Sequence, residues 1–247
     1  MNVLVFDIWG DYAHYKKIYA TTSAISYAIP PKTSLYGMFW AIAPMLKEFN
    51  KDTYLSYFQS KNCLIGIGLQ RPIVMQRINT NLVSRIGRMQ KYNSKGKRNT
   101  NRKPTTMEFV VNPKYRIYFY HTDNSLYTYL KKQLETHKTA YSPTLGIAGL
   151  HANFVFVGEH EALKSTKEEP LKINSVIPKS KFLGFDEEGL YDVGNEIVEQ
   201  SMYAVEMDTK RNVTERDDIL MDRKANPIPA KVTDYYKLEN GEHVVLF

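Results

Sequence analysis

Residues 71–107, RPIVMQRINTNLVSRIGRMQKYNSKGKRNTNRKPTTM, carry ten Lys or Arg and no Asp or Glu. The basic positions are Arg71, Arg77, Arg85, Arg88, Lys91, Lys95, Lys97, Arg98, Arg102 and Lys103. Between them stand Asn79, Asn81, Tyr92, Asn93, Ser94, Gly96, Asn99, Thr100 and Asn101, groups that can hydrogen-bond phosphate, sugar or base, with one aromatic face for stacking. Both ends have strand chemistry: Ile73-Val74 gives a β-branched centre, and Met107 and Phe109 alternate before Val110-Val111. The pattern predicts a long hairpin over 71–112 with a basic tip, an address for a polyanion. A basic loop is often only a solvated surface. The strand-like flanks favour binding instead, as does the rarity of an irregular connection of about twenty residues inside a compact domain.

Outward from the hairpin, apolar runs and breakers set out the remaining elements. Asn2–Ile8 reads as a buried strand ending at Trp9-Gly10, followed by a polar, aromatic and basic loop through Lys17. Ser26–Pro31 is extended, because a residue before proline leaves the helical region. Thr33 is the candidate N-cap of a first helix running to about Phe49, with Pro44 as a kink, and a shorter helical piece is expected at Thr53–Phe58. Cys63–Leu69 and Tyr115–His121 are the second and third strands. Asn124 or Ser125 caps a helix through about Thr136, with Leu126, Tyr129, Leu130 and Leu134 on one face; His151–Val157 is the fourth strand. The order βαββαβ is the ferredoxin-like arrangement of the α+β class, shared by many RNA-binding modules. Beyond Gly158 the segments 171–177, 182–185, 202–207 and 243–247 read as short strands, and Asn226-Pro-Ile-Pro229 as a rigid connector. Two regions are therefore expected: 1–157 with its protruding hairpin, and a small, acidic, β-rich 158–247.

Charge divides at the same place. Residues 1–157 hold 21 basic and 7 acidic side chains, net +14, and residues 158–247 hold 12 and 19, net −7. That asymmetry implies a positive face for an anionic ligand and a separate acidic region for other contacts. The longest strongly apolar run, Leu35–Leu46, is twelve residues, too short to span a bilayer, and the N-terminus opens directly into a strand; no membrane contact and a cytoplasmic location are expected. Cys63, the single cysteine, lies in an apolar run, which excludes a disulfide within the chain and a Cys-rich zinc site and predicts a buried thiol.

No catalytic signature is complete. Gly66-Ile-Gly68 begins like a dinucleotide fingerprint but lacks the third glycine and lies on a strand. The six histidines contain no i,i+4 pair, so neither a metal nor another cofactor is expected. Tyr12, His14, Tyr15, Lys16 and Lys17 crowd one loop. They supply an acid or base and a cation, enough for metal-independent RNA cleavage, and equally the stacking and phosphate contacts of a binding loop, which is the favoured reading. In Tyr141–His151, Gly146 and Gly149 could bring backbone N–H groups to a phosphate or could serve a tight turn.

Three segments, Phe6-Asp-Ile-Trp-Gly-Asp-Tyr-Ala-His-Tyr-Lys-Lys17, Ile25-Ser-Tyr-Ala-Ile-Pro-Pro-Lys-Thr-Ser-Leu-Tyr-Gly37 and Ser142-Pro-Thr-Leu-Gly-Ile-Ala-Gly-Leu-His-Ala-Asn-Phe154, together resemble the CRISPR-associated RAMP family Cas-five, most closely its type I-B branch. The resemblance spans residues 1–157 and scarcely reaches the C-terminal region. It implies a ferredoxin-like domain whose thumb hairpin, here 71–107, lies against the guide RNA (crRNA), in a subunit that holds the 5′ handle of that RNA in type I Cascade. It further implies a backbone RAMP subunit and a large subunit as neighbours, with target DNA reached indirectly through the complex. The type I-C branch also cuts precursor RNA with tyrosine, histidine and lysine, whereas the I-B branch generally leaves cutting to a separate endonuclease. One departure is Ala41-Ile-Ala-Pro44, which replaces the glycine that usually ends the first helix.

The sequence therefore predicts a non-catalytic RNA-binding subunit that caps the handle. Tyr12, His14, Lys16, Lys17, Tyr27, Lys32, Thr33, Gly146, Gly149 and His151 would hold handle nucleotides, and the thumb's ten basic residues with Tyr92 would meet phosphates. The alternative is a metal-independent endoribonuclease that processes the precursor through Tyr12, His14 and Lys16. A third possibility is a general basic adaptor that binds any RNA.

Overall fold

The computed structural model describes residues 1–17, 19–20, 24–45, 54–83, 102–167 and 169–247. It is a mixed α+β fold, rich in strands and poor in helices. The first half holds β1 (Asn2–Trp9), β2 (Tyr12–Ala13), β3 (Tyr15–Lys16), β4 (Ser26–Tyr27), α1 (Lys32–Ile42), α2 (Tyr54–Tyr57), β5 (Cys63–Leu69), β6 (Met75–Val83), β7 (Arg102–Val111), β8 (Lys114–His121) and α3 (Asn124–Glu135). Then follow β9 (Asn153–Ser165), β10 (Leu171–Ile173), β11 (Ile177–Pro178), β12 (Phe182–Phe185), α4 (Glu187–Val193), β13 (Ile197–Met207), β14 (Val213–Asp222), β15 (Ile228–Val232), β16 (Tyr235–Leu238) and β17 (His243–Val244).

A nine-stranded sheet runs in the order β12-β15-β10-β17-β16-β9-β1-β8-β5. Its β9-β1-β8-β5 portion is antiparallel throughout. Successive residues of a strand face opposite ways, so Leu4, Phe6 and Ile8 of β1 enter the core shared with α1 and α3, while Val3 and Val5 enter a second cluster on the other face. Phe39 of α1 anchors the helix side with its ring edge-on to Phe6 at 5.9 Å and Phe119 at 4.9 Å, contacts that add about 0.5–1.5 kcal/mol each beyond burial. On the opposite face, a Cβ at Gly66 would come within 2.8 Å of Leu246, and one at Gly68 within 2.8 Å of the Asn174 carbonyl. The pair that resembled a cofactor fingerprint is where the chain's own C-terminal strands lie down on β5.

Several expected boundaries move for local reasons. The N-cap of α1 is Pro31, not Thr33, which sits inside the first turn. The helix stops at Ile42 rather than near Phe49, because Pro44 drives Ala43 to φ −135, ψ 72. Asp123 caps α3, its carboxylate accepting from the N–H groups of Ser125 and Leu126. Strand β9 begins at Asn153 and continues to Ser165, past the expected division at 157; its second half pairs with β16. Asn226-Pro-Ile-Pro229 is no mere connector: Ile228–Val232 forms β15, between β10 and β12. The hairpin arms β6 and β7 pair antiparallel from Met75↔Val110 to Val83↔Arg102, and β2 adds to the outer side of β7. Among the described residues no helix is long and apolar enough to cross a membrane.

Candidate nucleic-acid interface

The N-terminal loop and the glycine loop meet at the base of the hairpin. After β1 the chain turns and lays Tyr12 and Ala13 against Val111 and Val110 of β7. The next residue, His14, donates its backbone N–H to the Leu145 carbonyl at 3.0 Å and bridges in parallel to Gly146. Its ring is 2% exposed, with Nδ1 2.7 Å from the Glu108 carbonyl and the plane tilted against Phe109. A carbonyl can only accept, so Nδ1 carries the proton. His14 thereby pins the loop to the hairpin and offers no ring face to a base.

Glu108 is the junction of this base. Its backbone N–H donates to Ala24, its Oε2 accepts from the Ser26 N–H at 3.2 Å, and its Oε1 pairs with Arg77 Nε at 3.4 Å. Strands β3 and β4 pair Tyr15 with Tyr27 and Lys16 with Ser26. Tyr27 is fully buried, its hydroxyl donating to the Met202 carbonyl at 2.5 Å and its ring edge-on to Tyr203. Lys17 Nζ sits 5.9 Å from the ring centres of both Tyr19 and Tyr27, while Lys16 points to solvent.

Lys32 is also inside. Its ammonium donates to Ser60 Oγ at 2.7 Å and stands 3.7 Å from Glu206 Oε1, beneath the Phe247 ring. Burial lowers its pKa. The same carboxylate oxygen accepts from Tyr36 Oη at 3.0 Å and from the N–H and hydroxyl of Ser60. This network ties α1 to β13. A second one, Asp7 with Arg116 at 2.8 Å and Lys114 at 3.2 Å, occupies the other face of the sheet; the hydrogen bond that Arg116 donates to Asp7 raises the Arg116 pKa.

The predicted site residues thus fall into groups. Tyr12, Lys16, Arg71, Arg77, Gly146, Gly149 and His151 are exposed, and Lys17 is half-buried. His14, Tyr27, Lys32 and Thr33 are buried. The first three are held by internal partners, which corrects the expectation that they meet nucleotides directly: a histidine, a tyrosine and a lysine read as surface chemistry, but each has a protein acceptor or ring waiting for it. Arg102 and Lys103 lie on β7. Arg85, Arg88, Lys91, Tyr92, Lys95, Lys97 and Arg98 lie outside the described residues.

Thr33 and Gly146, expected separately as site residues, line one common cleft that the sequence did not reveal. Between α1 and the glycine loop lies a cleft of about 400 Å³, and the β13–β14 turn forms part of its wall. Thr33, Ser34, Ser142 and Thr144 give it hydroxyls, and Arg211 a cation. Its walls come from four separated segments; a glycine inside a helix, Gly37, was the one local signal for it.

No family model matches the sequence, and no curated protein matches it either. Among solved structures, a CRISPR protein from Archaeoglobus fulgidus aligns over 100% of this chain and 98% of its own, with TM-score 0.55 and 14% identity. A chain from a CRISPR RNA-guided surveillance complex aligns over 92% and 91%, with TM-score 0.51 and 12% identity. The chain shares the fold of these CRISPR-associated proteins.

Proposed function

We propose that the chain is a non-catalytic RNA-binding subunit of a type I CRISPR interference complex, of the Cas-five kind and nearest its I-B branch, that caps the 5′ handle of the guide RNA. The carrying observation is the junction of its two separated motif segments: His14 and Gly146 are joined backbone to backbone, at the foot of the hairpin that continues into the basic stretch. The order β9-β1-β8-β5, with α1 and α3 in the crossovers, supports a ferredoxin-like βαββαβ core over residues 1–157. In this reading the exposed Lys16, Arg71, Arg77 and His151 and the hairpin cations meet the RNA, while a backbone RAMP subunit and a large subunit are the protein neighbours, in the cytoplasm. Burial of His14, with Nδ1 committed to Glu108, favours binding over cleavage, since a general acid or base must reach the proton it moves.

The test is incubation of the full chain with labelled repeat RNA in EDTA, resolved on native and denaturing gels. A shift without a cut is expected, with alanine at Arg85, Arg88, Lys97 and Arg98 flattening the salt dependence by about 0.7 in log–log slope per lost phosphate contact. A single metal-independent cut would replace this reading with the processing enzyme.

A further inference from the structure

We infer that the cleft between α1 and the glycine loop receives one unstacked nucleotide of the bound RNA, with Arg211 as its phosphate partner. The inference rests on the RNA-binding reading above and adds a specific pocket and a contribution from the C-terminal region.

The first argument is Gly37. It lies in the interior of α1, where glycine costs about 1 kcal/mol relative to alanine. Among the described residues a Cβ built there meets nothing within 4 Å, so none of them demands the missing side chain. The space it leaves open belongs to the cleft. A helix that gives up stability to keep a wall bare, with none of the described residues fitted against that wall, has room for a ligand.

The cleft's size and chemistry indicate what fits. At about 400 Å³ it lies within the range of small-molecule sites, which pair apolar walls with a few placed polar groups. Met38, Met207 and Tyr54 supply apolar and aromatic surface suited to a base, and the hydroxyls of Ser34 and Thr144 suit a ribose or phosphate.

Arg211 completes the set. It is exposed, its φ of 65° is a conformation uncommon for a non-glycine residue, and among the described residues no Asp or Glu stands within ion-pair distance of it. The turn that holds it is closed by Arg211 N–H to the Asp208 carbonyl at 2.9 Å. The Asp208 carboxylate is occupied by Asn212, whose hydrogen bonds hold its pKa below the usual carboxylate range. An exposed arginine on a closed turn, at the edge of a hydroxyl-bearing cleft and with no carboxylate partner among the described residues, is matched to a phosphodiester.

Gly37→Leu separates this pocket from the rest of the interface, because the new side chain enters the cleft and not the core. The full-length variant is expected to melt at or above the wild-type temperature and to bind the repeat RNA at least about tenfold more weakly, the loss of one base contact. Arg211→Ala should lower the salt slope by about 0.7. Walking a single abasic site through the RNA should weaken wild-type binding at one position, and Gly37→Leu should be insensitive there. Gly37→Leu binding that RNA as tightly as wild type, with the same abasic profile, would overturn the pocket and leave the handle-binding function standing. Failure of the wild-type chain to bind repeat RNA at all would remove the function and the pocket together.

Discussion

Gly146 and Gly149 sit three residues apart with nearly the same backbone conformation, φ +96° and +94°, and alanine at the two should have different effects. At Gly149 a Cβ meets nothing within 4 Å, so the cost is that of an L-residue held at positive φ, about 1–2 kcal/mol. At Gly146 the same strain applies, and the Cβ would also overlap the His14 carbonyl, a backbone group that cannot swing aside. Relief requires lifting the glycine loop from His14. That breaks the His14 N–H bond to Leu145, about 1 kcal/mol. It also uncovers part of Leu145, which is fully buried, for about 1–2 kcal/mol more. Gly146→Ala should therefore lose about 3–5 kcal/mol, or about 6–20 °C in melting temperature at 2–4 °C per kcal/mol, against about 2–8 °C for Gly149→Ala. Thermal unfolding of the two variants side by side measures the difference. Equal losses would refute the idea that Gly146 is there for the close packing of two chain segments, and would return it to the role of a phosphate cradle.

Three other perturbations test the frame around the site. Glu206→Ala leaves the Lys32 ammonium buried without its carboxylate, against Ser60 and the Phe247 ring, and should cost about 3–5 kcal/mol in urea unfolding. The double variant Lys32→Met, Glu206→Leu should recover part of that loss, the remainder being the Tyr36 hydroxyl and Ser60 N–H left without their acceptor, and no recovery would mean that the buried charge is not the source of the loss. Glu159 accepts hydrogen bonds from Lys131 and Tyr127, which hold its pKa below the ordinary carboxylate value. Its stabilisation is complete above about pH 4.3 and disappears as pH falls through the depressed folded value, so Glu159→Gln should lower stability at neutral pH, flatten the curve through that acid window and match wild type below it. Burial pushes the Cys63 thiol up, so a thiol-alkylating reagent at pH 8 should react only as fast as the protein opens; rapid native labelling would contradict its placement.

How far the sequence could be read depended on whether a segment's environment is local. β5 is legible to the residue because Cys63–Leu69 is a continuous apolar run bounded by polar groups, the pattern of a strand covered on both faces. β14 is not, since half of Val213–Asp222 is charged and its pairing with β13 shifts register three times, erasing the two-residue alternation. Pro229 likewise argued against a strand, yet β15 runs through it inside the sheet. Among site residues, Lys16, Arg77 and His151 are exposed, as polar types usually are. His14 and Lys32 do not, because the groups that hold them, the Glu108 carbonyl and the Glu206 carboxylate, come from distant strands. The cleft was least legible of all, as no single stretch of the chain contains it.

Where RNA can touch this fold follows from an energy comparison. Modules that read single strands on an open sheet stack bases on the face turned away from the helices. Here that face of β1 and β8, with Val3, Val5 and Tyr118, is closed by Tyr236, Leu238, Val244 and Leu246. Burying four such side chains is worth about 6–12 kcal/mol, and Phe247 adds two hydrogen bonds to Ile65 on β5. Stacking two bases there would return only about 2–6 kcal/mol. The C-terminal strands therefore win the face, and a nucleic acid is left with the rim. On that rim the loop after β1, the foot of the basic hairpin, the glycine loop and the first turns of α1 come together, so under the proposed function the C-terminal region would leave an RNA the cations of the rim by occupying the sheet face.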